Sequence, residues 1–529
     1  MNIEKTIWPG ASEQPGTQEF WKSGFGGVIF IAALNLILHL VAIHGFGYFR
    51  DELYYIACSD HLAFGYVDQP PLSILLLKLV RLVFGSSLAA IRILPAFGSA
   101  VFIILTGLMA REIGGKRFAL LLASVAAFST TGNLFLFHFY SMNFLDILFW
   151  QVSILILLRI VRTGRQKLWI IFGIVAGLAF ENKISAIFLL FGTAVGILLT
   201  KNRRVFKIAY LWLGAGLAVL LFLPYIVWNA AHGWPAIEFM RNAALFKNIQ
   251  NTPLGFLRDQ VFYNNPLTVF IWLPGLAYFF FDKTGRKYRL FGWVYLSLFV
   301  LFMPQHGKDY YLAATYPVLF AGGAVLLEAW KTPAHKRWPR PVAVAVLLVV
   351  SIILAPMSLP ILSVQDSLDY YRASGIKRSQ ENQELGPFPQ HFADEFGWEE
   401  MVDAFAGIYR HLGPADQSHC LIFVRNYGEA AAIDFFGKKY SLLKASCTHN
   451  SYWFWGPPEW SGQVAIVLGE SKDVGRSLDD LRSHFEEVTL AGKMSCDYAM
   501  PYENGRPIFL CRGFKHSIRE VWASEKHFN

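Results

Sequence analysis

The first 360 residues repeat one pattern: apolar stretches separated by short loops, of which every second one is basic. At 1.5 Å of rise per residue, a helix needs about 20 apolar residues to cross a ~30 Å hydrocarbon core. Such stretches lie at 24–45, 88–110, 118–134, 141–161, 168–180, 184–200, 208–230, 263–281, 290–304, 310–330 and 341–359, giving about eleven transmembrane helices. Those at 168–180, 184–200 and 290–304 are short. Only 16% of the residues are charged, against about a quarter in soluble domains, which excludes an ordinary soluble globule. The expected fold class is a polytopic α-helical membrane protein over residues 1–360, followed by a soluble domain over 361–529.

A net charge of +9 would suit nucleic acid, but its distribution argues otherwise. The excess base is confined to alternate loops: Arg111, Lys116 and Arg117; Arg159, Arg162, Arg165 and Lys167; Lys201, Arg203, Arg204 and Lys207. Lys283, Arg286, Lys287 and Arg289 follow, then Lys331, Lys336, Arg337 and Arg340, with only Glu112 and Asp282 opposing them. The positive-inside rule puts these five loops in the cytoplasm, and the other loops and the tail outside. Membrane lipids, not nucleic acid, are the expected surroundings. Residues 1–23 carry mixed charge and no apolar core of their own, so no cleaved signal peptide is expected.

The polar residues that could carry chemistry fall in the outward loops. Phe49 to Leu72 holds Arg50, Asp51, Glu52, Tyr54, Tyr55, Asp68, Gln69 and the pair Pro70-Pro71. Asp146 lies near the outer end of the fourth span, and Glu181-Asn182-Lys183 turns between the fifth and sixth. His232 follows the seventh, and Gln305-His306-Gly307-Lys308-Asp309 joins the ninth to the tenth. Ionisable groups beside a bilayer are costly, so acids and bases gathered at one face mark a site. Each has a plainer explanation: a solvated loop tip for Asp51-Glu52, a helix break at the prolines, a snorkelling Lys183, a locally bonded His232. Asp146 is harder to dismiss, because Leu145, Ile147 and Leu148 flank it.

The tail alternates helix and strand patterns. Helices are expected over Trp398–His411, Gly428–Phe436 and Val474–Phe485, and strands over Leu421–Val424, Val464–Leu468 and Ile508–Cys511, as in an α/β domain with a largely parallel sheet. Neither phosphate-loop motif is present. Cys420, Cys447, Cys496 and Cys511 could form two bridges, with Cys420–Cys511 and Cys447–Cys496 as the pairs considered and buried free thiols as the alternative. Tyr452 to Trp455 suits core packing or seating on headgroups better than sugar stacking. Asn426-Tyr427-Gly428-Glu429 marks a strand–helix junction, where an α/β sheet usually binds a ligand.

Phe49-Arg-Asp-Glu-Leu-Tyr-Tyr55 and Tyr66-Val-Asp-Gln-Pro-Pro-Leu72 resemble the first outer loop of the polyprenyl-phosphate-sugar-dependent glycosyltransferases. That group has the GT-C membrane fold and includes the protein O-mannosyltransferases and the lipid A aminoarabinose transferase. The likeness continues through Met142 to Asp146, Leu178 to Lys183, Trp228 to Pro235 and Lys308 to Pro317. In the tail, Phe396 to Glu400, Asn426 to Ala430 and Asn450 to Pro457 are similar to a bacterial branch.

The resemblance implies inverting transfer of one sugar from a polyprenyl (undecaprenyl) phosphate to a hydroxyl or phosphate on a lipid, glycan or protein at the outer face of a bacterial inner membrane. It implies Asp51 as general base, Glu52 orienting it or the sugar, and Asp146 as a second acid. Lys183 and Lys308 would meet the lipid phosphate, with Arg50 and His306 behind them; Tyr55, Asp68, Gln69, His232 and Tyr311 complete the substrate-binding set. Many relatives have an acid followed by a base before the proline, whereas Asp68 here precedes a neutral Gln69. No cofactor is required with a monophosphate leaving group, although a divalent cation near Asp68 is compatible. A transporter or flippase of lipid-linked sugars is the alternative; it would favour repeated half-chains, and none is visible.

Overall fold

A computed structural model of the chain describes residues 24–247, 251–305, 308–330, 338–375 and 383–529. Its described residues divide into two compact units, one drawn from 24–43, 92–227 and 251–361 and the other from 44–91, 228–247 and 362–529. The C-terminal segment from residue 362 therefore shares a unit with residues 44–91 and 228–247.

The first unit is helical at all eleven apolar stretches. Leu88–Glu112, Met142–Thr163, Ala209–Ala231, Tyr310–Ala329 and Pro339–Met357 are each long and apolar enough to cross a membrane, and the bent pair Ala186–Leu198 and Lys201–Lys207 makes a sixth if counted as one span. Gly26–Val41, Arg117–Phe128, Leu168–Asn182 and Pro266–Phe281 are shorter apolar helices, and Arg289–Phe302 fills the ninth stretch. The third stretch breaks after Phe128 and resumes as Thr131–Leu136.

Acids in this unit hold helix ends. Glu112 accepts from Arg159 Nε at 2.8 Å and pairs with Arg162 Nε 2.7 Å away. Glu328 caps the Arg117–Phe128 helix, accepting the N–H groups of Lys116 at 2.6 Å, Phe118 at 2.9 Å and Ala119 at 3.0 Å. Close helix packing depends on missing side chains. A Cβ added at Gly275 would lie 1.9 Å from the Leu319 carbonyl, and one at Gly323 would lie 1.8 Å from that of Ile271.

The second unit is built on a five-stranded sheet: β1 (Cys420–Phe423), β2 (Ala445–Ser446), β3 (Val464–Leu468), β4 (Phe485–Lys493) and β5 (Pro507–Phe514), in the order β2-β1-β3-β5-β4. The β1–β2 and β1–β3 pairs are parallel, while β3–β5 and β4–β5 are antiparallel, so the sheet is mixed rather than largely parallel. The added antiparallel strand, β4, was not expected because its residues are mostly exposed and polar, with no apolar alternation. The expected helices appear as Trp398–Arg410, Tyr427–Phe436 and Val474–His484.

All five cysteines are free and buried, which removes both bridges considered. For Cys420 and Cys511 the register gives the reason. Cys420 pairs with Val464 on one side of β3 and Cys511 with Ala465 on the other. Two strand spacings, about 9–10 Å, exceed the reach of a disulfide.

The Phe49–Leu72 segment is folded rather than a solvated tip. Arg50–Asp60 and Leu72–Phe84 are helices, and Pro71 stands at the cap of the second. Phe46 packs with Phe388, Phe392 and Phe396 of the tail, its ring 5.2 Å from Phe396, while its N–H donates to Glu395 at 2.8 Å.

Candidate active site

In the second unit the Arg50–Asp60 helix begins after an extended Phe49, whose N–H donates to Glu52 Oε2 at 3.0 Å in a capping box. Glu52 is fully buried there. It caps the helix that carries Asp51. Asp51, one residue earlier, keeps 35% of its side chain exposed at a helix N-terminus, where the backbone dipole favours negative charge. Its Oδ1 accepts the Tyr427 hydroxyl at 3.0 Å.

Arg50 is engaged by residues of the C-terminal segment. Its guanidinium donates to the Tyr502 oxygen at 2.6 Å, lies 3.5 Å from the Asp394 carboxylate and sits over the Tyr427 ring. Tyr54 donates to Asp68 Oδ1 at 3.1 Å and accepts the Ser451 N–H at 3.2 Å. Burial, with the Asp68 charge second, pushes the Tyr54 phenol well up, so it stays a donor. Tyr55 is buried in the same helix. Gln69 is fully buried, and among the described residues neither side-chain amide atom has a hydrogen-bond partner. His232 is exposed and stacks on Trp228 at 4.4 Å, its Nδ1 2.7 Å from the Trp228 carbonyl, which is the local bonding of its plainer explanation.

The first unit holds a separate cluster. Asp146, with 14% of its side chain exposed, accepts Trp150 Nε1 at 3.1 Å and Ser185 Oγ at 2.9 Å, and lies 3.8 Å from Lys183 Nζ. Lys183 donates to Asn143 Oδ1 at 2.7 Å and lies over the Tyr310 ring at 5.2 Å. Asn182 Nδ2 donates to the Met142 carbonyl at 2.9 Å, tying the Lys183 turn to the Asp146 helix. Lys308 acts on Lys183 as a like-charge neighbour, and Tyr311 packs beside Tyr310 and Phe302. Asp146, Lys183, Lys308 and Tyr311 are thus brought together, while His306 lies outside the described residues.

Sequence reasoning missed Tyr427, Tyr502, Asp394, Asn143, Ser185, Trp150 and Tyr310 as partners of these groups. Asn143 and Tyr427 stood inside motifs already marked, but nothing in those motifs named their partners. Among the described residues, no group of three or more His, Cys, Asp or Glu could hold a metal ion.

Comparison with solved structures decides the fold. ArnT from Cupriavidus metallidurans, in the crystal structure bound to undecaprenyl phosphate, superposes with a TM-score of 0.60 at 12% identity, covering 92% of this chain and 98% of that one. Its apo crystal structure gives 0.58 at 13% identity with the same coverage. The chain has the GT-C glycosyltransferase fold. Residues 68–228 also match the dolichyl-phosphate-mannose-protein mannosyltransferase family, a segment of this GT-C chain that contains Asp68, Gln69, Asp146 and Lys183. The lipid A galacturonosyltransferase RgtD of Rhizobium johnstonii is 22% identical over 307 residues, 55% of this chain. That alignment spans 62% of the relative, less than two thirds of its length.

Proposed function

We propose that this GT-C chain is an inverting glycosyltransferase. It moves a single sugar from a polyprenyl phosphate, undecaprenyl phosphate by analogy with ArnT, to an acceptor at the outer face of a bacterial inner membrane. The observation that carries it is the correspondence with undecaprenyl-phosphate-bound ArnT over 92% of the chain. The likeness to a lipid A galacturonosyltransferase favours a lipid acceptor and a uronic or related sugar.

In one displacement, Asp51 takes the proton of the acceptor hydroxyl as that oxygen attacks the anomeric carbon. The bond from that carbon to the phosphate oxygen breaks, its electron pair leaves with the phosphate, and single attack inverts the centre. Lys183 and Lys308 offset the charge that develops on the phosphate. Asp146 holds Lys183 in place and keeps its charge from standing alone. Within the Phe49–Leu72 segment, neutral Gln69 offers hydrogen bonds but no charge, so the phosphate's counter-charge is assigned to the lysines. No step requires a metal; a divalent cation near Asp68 would add charge there.

The test is a mass comparison of envelope lipids and glycans from cells with and without the gene. Loss of one sugar increment, restored by the wild-type chain and not by Asp51→Asn, supports transfer and names both sugar and acceptor. No lost increment, together with accumulation of an unflipped lipid-linked sugar, would replace transfer by transport.

A further inference from the structure

Tyr427 belongs to the soluble tail, 376 residues beyond Asp51 in sequence, yet its hydroxyl meets the Asp51 carboxylate at 3.0 Å. The contact is built into the fold. Tyr427 is the first residue of a helix capped by Asn426, whose side chain accepts the Glu429 N–H at 3.0 Å while Glu429 returns a bond to the Asn426 N–H at 3.1 Å. Glu429 is fully buried and paired with the Arg506 guanidinium, and Arg506 donates to the Gly469 carbonyl at 2.8 Å. That network fixes the backbone from which Tyr427 projects.

The ring is fixed as well. It packs 4.6 Å from Tyr54 and 5.0 Å from His449, under the Arg50 guanidinium. The next residue is glycine for a steric reason: a Cβ at Gly428 would lie 2.5 Å from Arg50 Cγ. Arg50 in turn is tied by its N–H to the Asp394 carbonyl at 3.0 Å and by its side chain to Tyr502. Asp51 is thus flanked by tail groups on a rigid frame, and it is the exposed carboxylate of this helix's first turn.

We propose that the tail supplies the positioning residue of the transferase: the Tyr427 hydroxyl, hydrogen-bonded to Asp51 Oδ1, fixes the carboxylate rotamer that receives the acceptor proton. This rests on Asp51 as the base. The bond occupies Oδ1 and leaves Oδ2 for the acceptor hydroxyl, so the aim of Oδ2 depends on a residue that touches no substrate. Misplacing a reacting group by about 1 Å can cost on the order of a hundredfold in rate. The tail is then part of the catalytic apparatus rather than a passive cover.

The experiment uses the full-length chain with Tyr427→Phe, Asp51→Asn and Tyr452→Phe. Tyr452→Phe is the control, since it also removes a buried tail hydroxyl, one that donates to Asp434 at 3.0 Å and not to Asp51. Product formation is followed in membranes of gene-deleted cells carrying each variant, using the sugar increment identified by mass. Thermal stability and affinity for undecaprenyl phosphate are measured on the purified proteins. The expected result is that Tyr427→Phe slows product formation about 10- to 100-fold with unchanged undecaprenyl phosphate affinity, while Tyr452→Phe keeps its rate per folded molecule. A wild-type rate in Tyr427→Phe, with Asp51→Asn inactive, overturns the positioning role and leaves the base assignment standing. Equal slowing in both tyrosine variants, in proportion to lost stability, reduces Tyr427 to packing and also overturns it. An active Asp51→Asn variant removes the base itself, and the proposal with it.

Discussion

Asp51 and Asp146 are held in opposite ways. Asp51 sits on the first turn of a helix with a third of its side chain open, meeting one tyrosine hydroxyl, with Arg50 Nε 4.0 Å away. Asp146 is nearly closed off and bound by an indole N–H, a serine hydroxyl and an ammonium group. An acid that must accept a proton needs an uncommitted oxygen and access to its partner. An acid that must hold a cation in an apolar setting needs its lone pairs filled. On the proposed mechanism the first environment suits a proton acceptor, and the second suits a carboxylate that holds Lys183 in place.

The widest separation between them is expected from Asp51→Asn. It keeps the size and one hydrogen-bond acceptor but cannot take a proton, so transfer should fall by about a thousandfold or more with the melting temperature unchanged. Product assay and thermal unfolding on the same preparation check this. If the variant instead retains transfer and loses stability, Asp51 is the structural acid and the contrast is reversed.

Asp146→Asn should behave as the converse. It leaves the Lys183 ammonium with Asn143 and Tyr310 alone, and breaking such a buried pair costs about 3 kcal/mol. Thermal unfolding should show that loss, and product formation should drop on the order of a hundredfold because Lys183 is no longer fixed. The double variant Asp146→Leu with Lys183→Met should recover most of the stability and none of the activity. If the double variant is as unstable as the single, the ion pair is not what holds the turn.

The tail provides a pH signature of its own. Burial, and next the Glu429 charge, push the Glu503 carboxyl up to about 8, while Arg506 and Arg50 oppose the shift. A carboxyl whose folded pKa is raised binds its proton more tightly when folded. Its stabilisation is complete below the unfolded value near 4.5 and is lost as pH rises toward about 8. The melting temperature should therefore fall between pH 5 and pH 8 by several degrees, as judged from the usual dependence of melting on free energy. Glu503→Gln should flatten that slope, as seen in melts at the two pH values; an unaltered slope would place the titrating group elsewhere.

How much of this was legible in sequence differs between the two clusters. The apolar stretches were readable from their length and composition, and each is helical, although only five or six of those helices are long and apolar enough to cross a membrane. Asp146 and Lys183 were each readable as a costly group near a span end, but their pairing, like the Ser185 and Trp150 partners, was not. Asp51 was readable as an acid of interest, but its surroundings come from Asp394, Tyr427 and Tyr502, hundreds of residues away, and no local pattern encodes such pairings. The capping role of Glu52 was not legible for a related reason: only burial and the Phe49 N–H reveal it. Strand β4 escaped because an exposed, polar edge strand has no period-two signal.

The smallest effect separates a ligand-facing group from a packing fault. Gln69 is fully buried with both amide atoms unpartnered, an arrangement that costs stability unless something else satisfies it. Replacing it with leucine removes the unsatisfied polar atoms at similar volume, so the melting temperature of the empty protein should hold or rise, a change within about 1 kcal/mol. If those atoms bond a phosphate or sugar, affinity for undecaprenyl phosphate or its sugar conjugate should fall by several-fold in the same variant. Stability gained with binding lost is the pattern of a group kept for its ligand. Stability gained with binding intact would make Gln69 a tolerated defect of the loop, and would leave phosphate recognition to Lys183 and Lys308.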